Sequence, residues 1–267
     1  MRTEIYYFSG TGNSLHVSRE LQKRLPNSSL TPIMSLLKKE KITSNAEKVG
    51  IVFPIHALTF PWPVKDFLQK IDLESTSYLF AVATRECFAT VFSKMDGLLA
   101  NQNRSLDAYL SFEMPTNYVL LFDLYSQEKI DAVESKMLEK LDSFAQVINS
   151  GETFRPKDHP VYFGLSHAIY PILTYWFHRR RFPKMERSFY ADSNCNGCGT
   201  CEQVCLSNKI KLVDKKPVWQ ENVKCTYCFA CLHYCPTHAI QIKGKNTVNR
   251  GRYHHPDISA KDILDQK

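Results

Sequence analysis

Apolar positions in the first part of the chain follow two rhythms: unbroken short runs, and spaced residues that recur every three or four places. Residues 3–8, 48–54 and 78–84 are the runs, rich in β-branched and aromatic side chains, as parallel strands buried on both faces require. Between and after them come Leu15, Val17, Leu21 and Leu25, then Val64, Phe67, Leu68 and Ile71, then Val91, Met95, Leu98 and Leu99, each set marking one side of a helix. Residues 106–114 offer a fourth strand and 28–36 a fifth. Ile130, Val133, Met137, Leu141, Phe144 and Ile148 trace a long amphipathic helix. This alternation predicts an α/β fold with a doubly wound, parallel, five-stranded sheet.

Beyond residue 186 the helical period disappears. Short strands are expected at 188–190, 209–213, 217–219 and 239–242, set around cysteines that read C-x2-C-x2-C-x3-C twice, at 195–205 and 225–235. Three thiolates spaced by two residues wrap one corner of a cubane cluster, because each intervening pair turns the backbone back on itself. In the bacterial two-cluster arrangement the fourth cysteine ligates the other cluster. That rule assigns Cys195, Cys198, Cys201 and Cys235 to one [4Fe–4S] cluster, and Cys225, Cys228, Cys231 and Cys205 to a second. Structural zinc prefers cysteine pairs with a long gap between them, and a disulfide framework suits short secreted chains, so both fit less well. Pro236 closes the second motif, where Leu206 closes the first.

Strand 3–8 leads into Ser9, Gly10, Thr11, Gly12, Asn13 and Ser14, and then into a helix. Glycines permit close backbone approach, the hydroxyls can donate to phosphate oxygens, and a helix N-terminus offers free N–H groups, so this loop reads as a phosphate cradle. It lacks the Gly-Lys-Ser/Thr ending of a Walker loop and is not G-x-G-x-x-G. A plain strand-to-helix turn is the simpler alternative.

The chain has 267 residues, room for two domains, and a formal charge of +7 from 34 Lys plus Arg against 27 Asp plus Glu. So small an excess does not imply nucleic acid. Eight of the nine cysteines sit in the two motifs, which points to a reducing, cytoplasmic setting. The most apolar run, 161–177, contains His167 and Pro171 and is too short for a transmembrane segment. It is expected to be an interdomain helix pair that buries its aromatics, with a membrane-associated hairpin as the alternative. His178, Arg179, Arg180 and Arg181 form a basic patch, read as a solvated helix end or a docking face for an acidic redox partner. Cys87 is expected to be a small buried apolar residue, and His233 and His238 surface residues. The expected division is 1–150, a connector 151–185, a cysteine-rich domain 186–243 and a polar tail 244–267.

Residues 186–243 resemble bacterial two-cluster ferredoxins, a small α+β fold. The strand ends and the Ser9 to Ser14 loop resemble flavodoxins. That resemblance implies sheet order 2-1-3-4-5, with FMN bound beyond the strand ends. It further implies that loops 55–62 and 84–90 flank the flavin ring, with His56, Phe60, Trp62, Thr84 and Phe88 near it. Taken whole, the chain resembles the EFR1-type ferredoxin family, on Phe8 to Ser14, Met114 to Tyr118 and Arg252 to Pro256. The expectation is an electron-transfer protein passing electrons between two [4Fe–4S] clusters and FMN, serving a redox partner protein or a small-molecule acceptor. A flavin-dependent reductase of a small molecule is the second reading. A redox-sensing or binding module without flavin is the third.

Overall fold

The apolar runs become strands and the spaced apolar sets become helices. The computed structural model describes residues 1–85, 91–157 and 170–267. In chain order the first part contains β1 (Thr3–Tyr7), α1 (Asn13–Arg24), β2 (Ser28–Pro32), α2 (Ile33–Leu36), β3 (Ile42–Thr43), β4 (Lys48–Pro54), α3 (Trp62–Lys70), β5 (Ile71–Asp72), β6 (Tyr78–Arg85), α4 (Phe92–Leu99), β7 (Ala108–Glu113) and α5 (Gln127–Ser150). One sheet takes the order β2-β1-β4-β6-β7, parallel throughout. Counting only its own strands this is 2-1-3-4-5, the flavodoxin-like order. β4 and β6 are buried over all but their last residue, which is why they read as continuous apolar runs rather than as alternating ones.

The second part contains α6 (Tyr170–Trp176), a π-helical turn (Phe177–Arg181), α7 (Phe182–Glu186), β8 (Phe189–Ala191), α8 (Thr200–Gln203), β9 (Ile210–Val213), β10 (Lys216–Trp219), α9 (Ala230–His233), β11 (Ile240–Ile242) and α10 (Ala260–Leu264). β8 pairs with β11 and β9 with β10, both antiparallel. The two parts share a core. Val204, Leu206, Cys228, Ala230 and Tyr234 pack into the same apolar cluster as the five-stranded sheet, together with Ile258 and Ile263 from the C-terminal segment.

That segment is polar in composition but built in, contrary to its reading as a tail. The Gln266 side chain is fully buried, accepting from the Ser9 amide at 3.1 Å and donating to the Ser9 carbonyl at 2.9 Å. The His255 amide donates to the Thr11 carbonyl at 2.8 Å, and the Tyr253 hydroxyl to Asn13 Oδ1 at 3.0 Å. α10 carries a capping box between Ser259 and Asp262. The connector departs from expectation as well. Phe182 and Met185 are buried, but Ile172, Tyr175 and Trp176 are exposed. The expected first helix of the pair, at 161–169, lies outside the described residues.

Glu134 on α5 staples the segment down. Its carboxylate meets His16 Nε2 at 2.5 Å and His255 Nε2 at 3.7 Å, and the two imidazoles stack at 3.7 Å. Burial alone would raise the Glu134 carboxyl, but the His16 and His255 hydrogen bonds outweigh it and bring it from 4.5 to about 2. A carboxyl lowered by folding stabilises the native state above its unfolded value, and loses that contribution as pH falls through the folded one. Glu134→Ala should therefore cost about 2 kcal/mol at neutral pH and should speed amide exchange in 253–266 ahead of the sheet. The difference from wild type should shrink as pH drops from 4.5 toward 2. Equal exchange in the two proteins at pH 7 would show that this carboxylate does not hold the segment.

Candidate functional site

Both cysteine motifs turn on residues held at positive φ: Gly197 and Gly199 in the first, Tyr227 and Phe229 in the second. These left-handed residues swing the backbone so that amides face the sulfurs. The Tyr227 amide donates to Cys225 Sγ at 3.3 Å, and the Ala239 amide to Cys235 Sγ at 3.2 Å. Each motif then enters a single helical turn, α8 or α9, which carries its third cysteine.

The fold brings the thiols together in the crossed order. Cys195, Cys198, Cys201 and Cys235 line one small cavity under Leu212, Pro217 and Ile240. Burial pushes the Cys201 thiol up to about 12, with Cys235, Cys198 and Cys195 as charged neighbours that push it the same way. Cys231 is likewise pushed up by burial, and its neighbours are Cys205, Cys228, Cys225 and, from the other set, Cys201. Thiolates gathered this closely, Cys201, Cys228 and Cys235 of them buried, repel one another unless a cationic centre compensates them. A single tetrahedral zinc would hold its sulfurs about 3.8 Å apart, given Zn–S bonds of about 2.3 Å. Among the described residues, no three cysteine sulfurs lie within 4.8 Å of one another. Three cysteines spaced by two residues, with the fourth from the other motif, suit a cubane better than a single ion.

His16, His255 and Asp257 do bring ligand atoms that close. Yet the stacked imidazoles run nearly parallel, at an interplanar angle of 19°, so their lone pairs do not converge on a point. That cluster is a staple rather than a metal site.

A mostly apolar cavity of ≈ 270 Å³ lies beyond the carboxyl ends of the sheet strands. That is near the lower edge of small-molecule sites, about 300–1,000 Å³. Ser9, Gly10, Thr11, Asn13 and Ser14 form one wall, joined by His56 after β4, Thr84 and Arg85 at the end of β6, and 114–118 after β7. Tyr227, Cys228 and Phe229 of the second cysteine motif form the facing wall. The two walls meet where Gly10 lies against Cys228. A Cβ on Gly10 would sit 2.5 Å from both the Cys228 Cβ and its carbonyl oxygen. α1 begins at this wall with no side-chain cap and no acidic residue in its first turn, and Ser9 Oγ is buried without a hydrogen-bond partner. A free helix N-terminus beside an unpaired hydroxyl suits a phosphate group.

Several expected positions fall elsewhere. Gly12, at φ 101°, backs onto the C-terminal segment, where a Cβ would sit 2.8 Å from that of His255 and 2.9 Å from that of Ile258. Phe60 is core, edge-on to Phe53, and Trp62 donates its Nε1–H to the Cys225 carbonyl at 2.9 Å; neither lines the cavity. Phe88 and Cys87 lie outside the described residues. The aromatic lining instead comes from Tyr118, Phe122, Phe177, Phe182, Tyr227 and Phe229. His233 is buried, not on the surface. Its Nδ1 accepts from the Tyr253 amide and its Nε2 donates to the Asn117 carbonyl, tying α9 to the loop after β7 and to the C-terminal segment. The Met114 to Tyr118 and Arg252 to Pro256 segments stand out in the sequence, and this pairing is the contact that joins them.

A search of curated proteins finds no match to the chain. Residues 184–251 match the family described as the 4Fe-4S dicluster domain. Among solved structures, Smu.1420 from Streptococcus mutans UA159 is similar at 12% identity, covering 54% of this chain and 100% of that one, with a TM-score of 0.40. The flavodoxin, WrbA-like protein from Agrobacterium tumefaciens is 14% identical over 57% of this chain and 99% of that one, at 0.36. A flavodoxin from the domain Archaea is 9% identical over 55% and 99%, at 0.34. Scores this low add nothing to the fold, which rests on the strand order. That order and the matched cysteine region together make the chain a flavodoxin-like domain fused to a 4Fe-4S dicluster, ferredoxin-type domain.

Proposed function

We propose that the chain is an iron–sulfur flavoprotein that passes electrons between two [4Fe–4S] clusters and FMN. Cys195, Cys198, Cys201 and Cys235 would hold the first cluster, and Cys225, Cys228, Cys231 and Cys205 the second. The observation that carries the reading is the cavity wall. The phosphate-type loop and the second cysteine motif face each other across one space, with Cys228 in that wall. The clusters would supply single electrons and the flavin would hold one or two.

The chain's own residues do the positioning. Ser9 Oγ and the α1 N-terminus would take the phosphate, and His56 and Thr84 would flank the ring. Trp62 pins the Cys225 carbonyl, and Tyr227 stacks on Phe182 at 4.3 Å while its hydroxyl donates to Glu186 at 2.7 Å, so the cluster side of the cavity is braced. Cys198 is exposed whereas Cys228 is buried, which favours the first cluster as the contact for an outside redox partner and the second as the neighbour of the flavin.

After anaerobic preparation, eight iron and eight sulfide per chain are expected for two cubanes, and FMN should bind at least ~10-fold more tightly than riboflavin. Equal affinity for the two flavins would remove the phosphate cradle from this reading. Cys205→Ser should strip the second cluster and, because that cluster's loop is a cavity wall, should weaken FMN binding at least ~10-fold. Cys198→Ser should cost the first cluster and leave FMN bound. If Cys205→Ser keeps FMN at wild-type affinity, the cluster loop and the flavin do not share the site. In the intact chain, electrons given to the clusters should reach FMN at a rate independent of protein concentration. Transfer that scales with concentration would refute an internal relay.

A further inference from the structure

Six of the twelve exposed large apolar side chains among the described residues fall in two short stretches, Leu121 with Phe122 and Ile172, Leu173, Tyr175 and Trp176. Ile172 is 70% exposed and Tyr175 64%. Soluble surfaces scatter such residues singly, and a contiguous group marks a contact surface. Both stretches border the cavity, the second through Phe177 and the Thr174 contact to Ala57. Leu121 and Phe122 are exposed and line it, with Phe177 and Phe182 deeper in the same wall. The Thr174 hydroxyl fixes α6 to the Ala57 carbonyl at 3.4 Å, in the loop that lines the opposite side.

Charge follows directly along the chain. Between 170 and 187 stand Arg179, Arg180, Arg181, Lys184 and Arg187 against a single acid, Glu186, whose carboxylate is already held by Lys209 at 2.5 Å and by Tyr227. Ile172, Tyr175 and Trp176 fall at i, i+3 and i+4 of α6, which places them on one helical face. Arg179 lies over the Tyr175 ring at 5.5 Å and Arg181 over the Trp176 ring at 6.0 Å. Protruding aliphatics and aromatic rings, with arginines at the level of those rings, are the arrangement of a helix that lies in a lipid headgroup layer. A protein partner of acidic surface would be served by the arginines but would leave Ile172 without a reason to protrude. No helix among the described residues is long and apolar enough to cross a membrane, so the contact is with the surface.

We propose that α6, the π-helical turn, α7 and the Leu121–Phe122 loop form a face that docks on an anionic bilayer. Ile172, Tyr175 and Trp176 enter the boundary between headgroups and acyl chains, and the arginines meet the phosphates. The cavity then opens toward lipid, so that an apolar electron acceptor dissolved in the membrane reaches it without crossing water. The docking does not depend on FMN occupying the cavity.

Flotation of the full chain with vesicles tests this. Vesicles of phosphatidylcholine containing about one-third phosphatidylglycerol should bind it at least ~10-fold more strongly than phosphatidylcholine alone, and added salt should weaken the binding. Arg179→Glu with Arg180→Glu should abolish the preference for anionic lipid. Ile172→Glu with Trp176→Ser should lose binding at least ~10-fold. All four side chains are exposed, so unchanged iron and sulfide content should confirm that the variants fold. Brominated lipid should quench wild-type fluorescence, and Trp176→Phe should remove that quenching while Trp62 and Trp219 remain. No binding to either vesicle overturns the proposal. So does binding that is blind to lipid charge, or an oligomer without lipid affinity that Ile172→Glu breaks into monomers, which would make the face a contact between copies of the chain.

Discussion

Gly10 has no side chain, and the joining of the two halves depends on that. A single methyl group there would overlap Cys228 at both its Cβ and its carbonyl oxygen, and something would have to shift. The neighbour cannot easily be the part that moves. Trp62 holds the Cys225 carbonyl on one side, and Tyr234, packed in the common core, donates its hydroxyl to the Ile258 carbonyl on the other. The close approach therefore sets how near the second set of thiols comes to the strand-end cavity. It does so through backbone, the least adjustable part of a protein.

Around that contact polar clamps add to the shared apolar core. Lys209 is 3% exposed, yet its ammonium is satisfied by the Gln220 and Val223 carbonyls, each at 2.6 Å, and by Glu186. Those bonds fasten the segment between the two cysteine motifs to α7. Removing either partner would leave a buried charge uncompensated, which costs far more than the pair contributes. Gln266 acts similarly on Ser9, holding both backbone groups of a residue whose own hydroxyl is left unpaired at the cavity.

Much of this is legible in the amino-acid order alone. Strands buried on both faces announce themselves as unbroken apolar runs, so the sheet can be read from 3–8, 48–54 and 78–84. The cysteine spacing marks each run of three as a local code, while the crossing of the fourth is what the two-cluster ferredoxin arrangement implies. What local pattern cannot carry is anything decided by a distant partner. Gln266 and His255 look like solvated polar residues until the phosphate-type loop, far earlier in the chain, is placed against them. Phe60 and Trp62 sit in the correct loop, but an aromatic in a loop says nothing about which way it turns. One turns into the core and the other toward the cysteine domain. His233 misleads for the same reason, since a histidine between two cysteines carries no sign that a backbone amide and a carbonyl from two other segments will bracket it.

The uneven exposure of the thiols has a further consequence, for wear. Cys198 stands at the surface beside Gly197 and Gly199, whereas Cys228 and Cys235 are shielded by packed side chains. Oxidants attack thiolates that they can reach. Damage from oxygen should thus proceed from the outside inward, stripping the outer corner of the first site while the inner one is still intact. On the proposed relay, molecules in an aged preparation would then keep the inner site but lose the outer one, and each would be cut off from outside partners before it is broken inside.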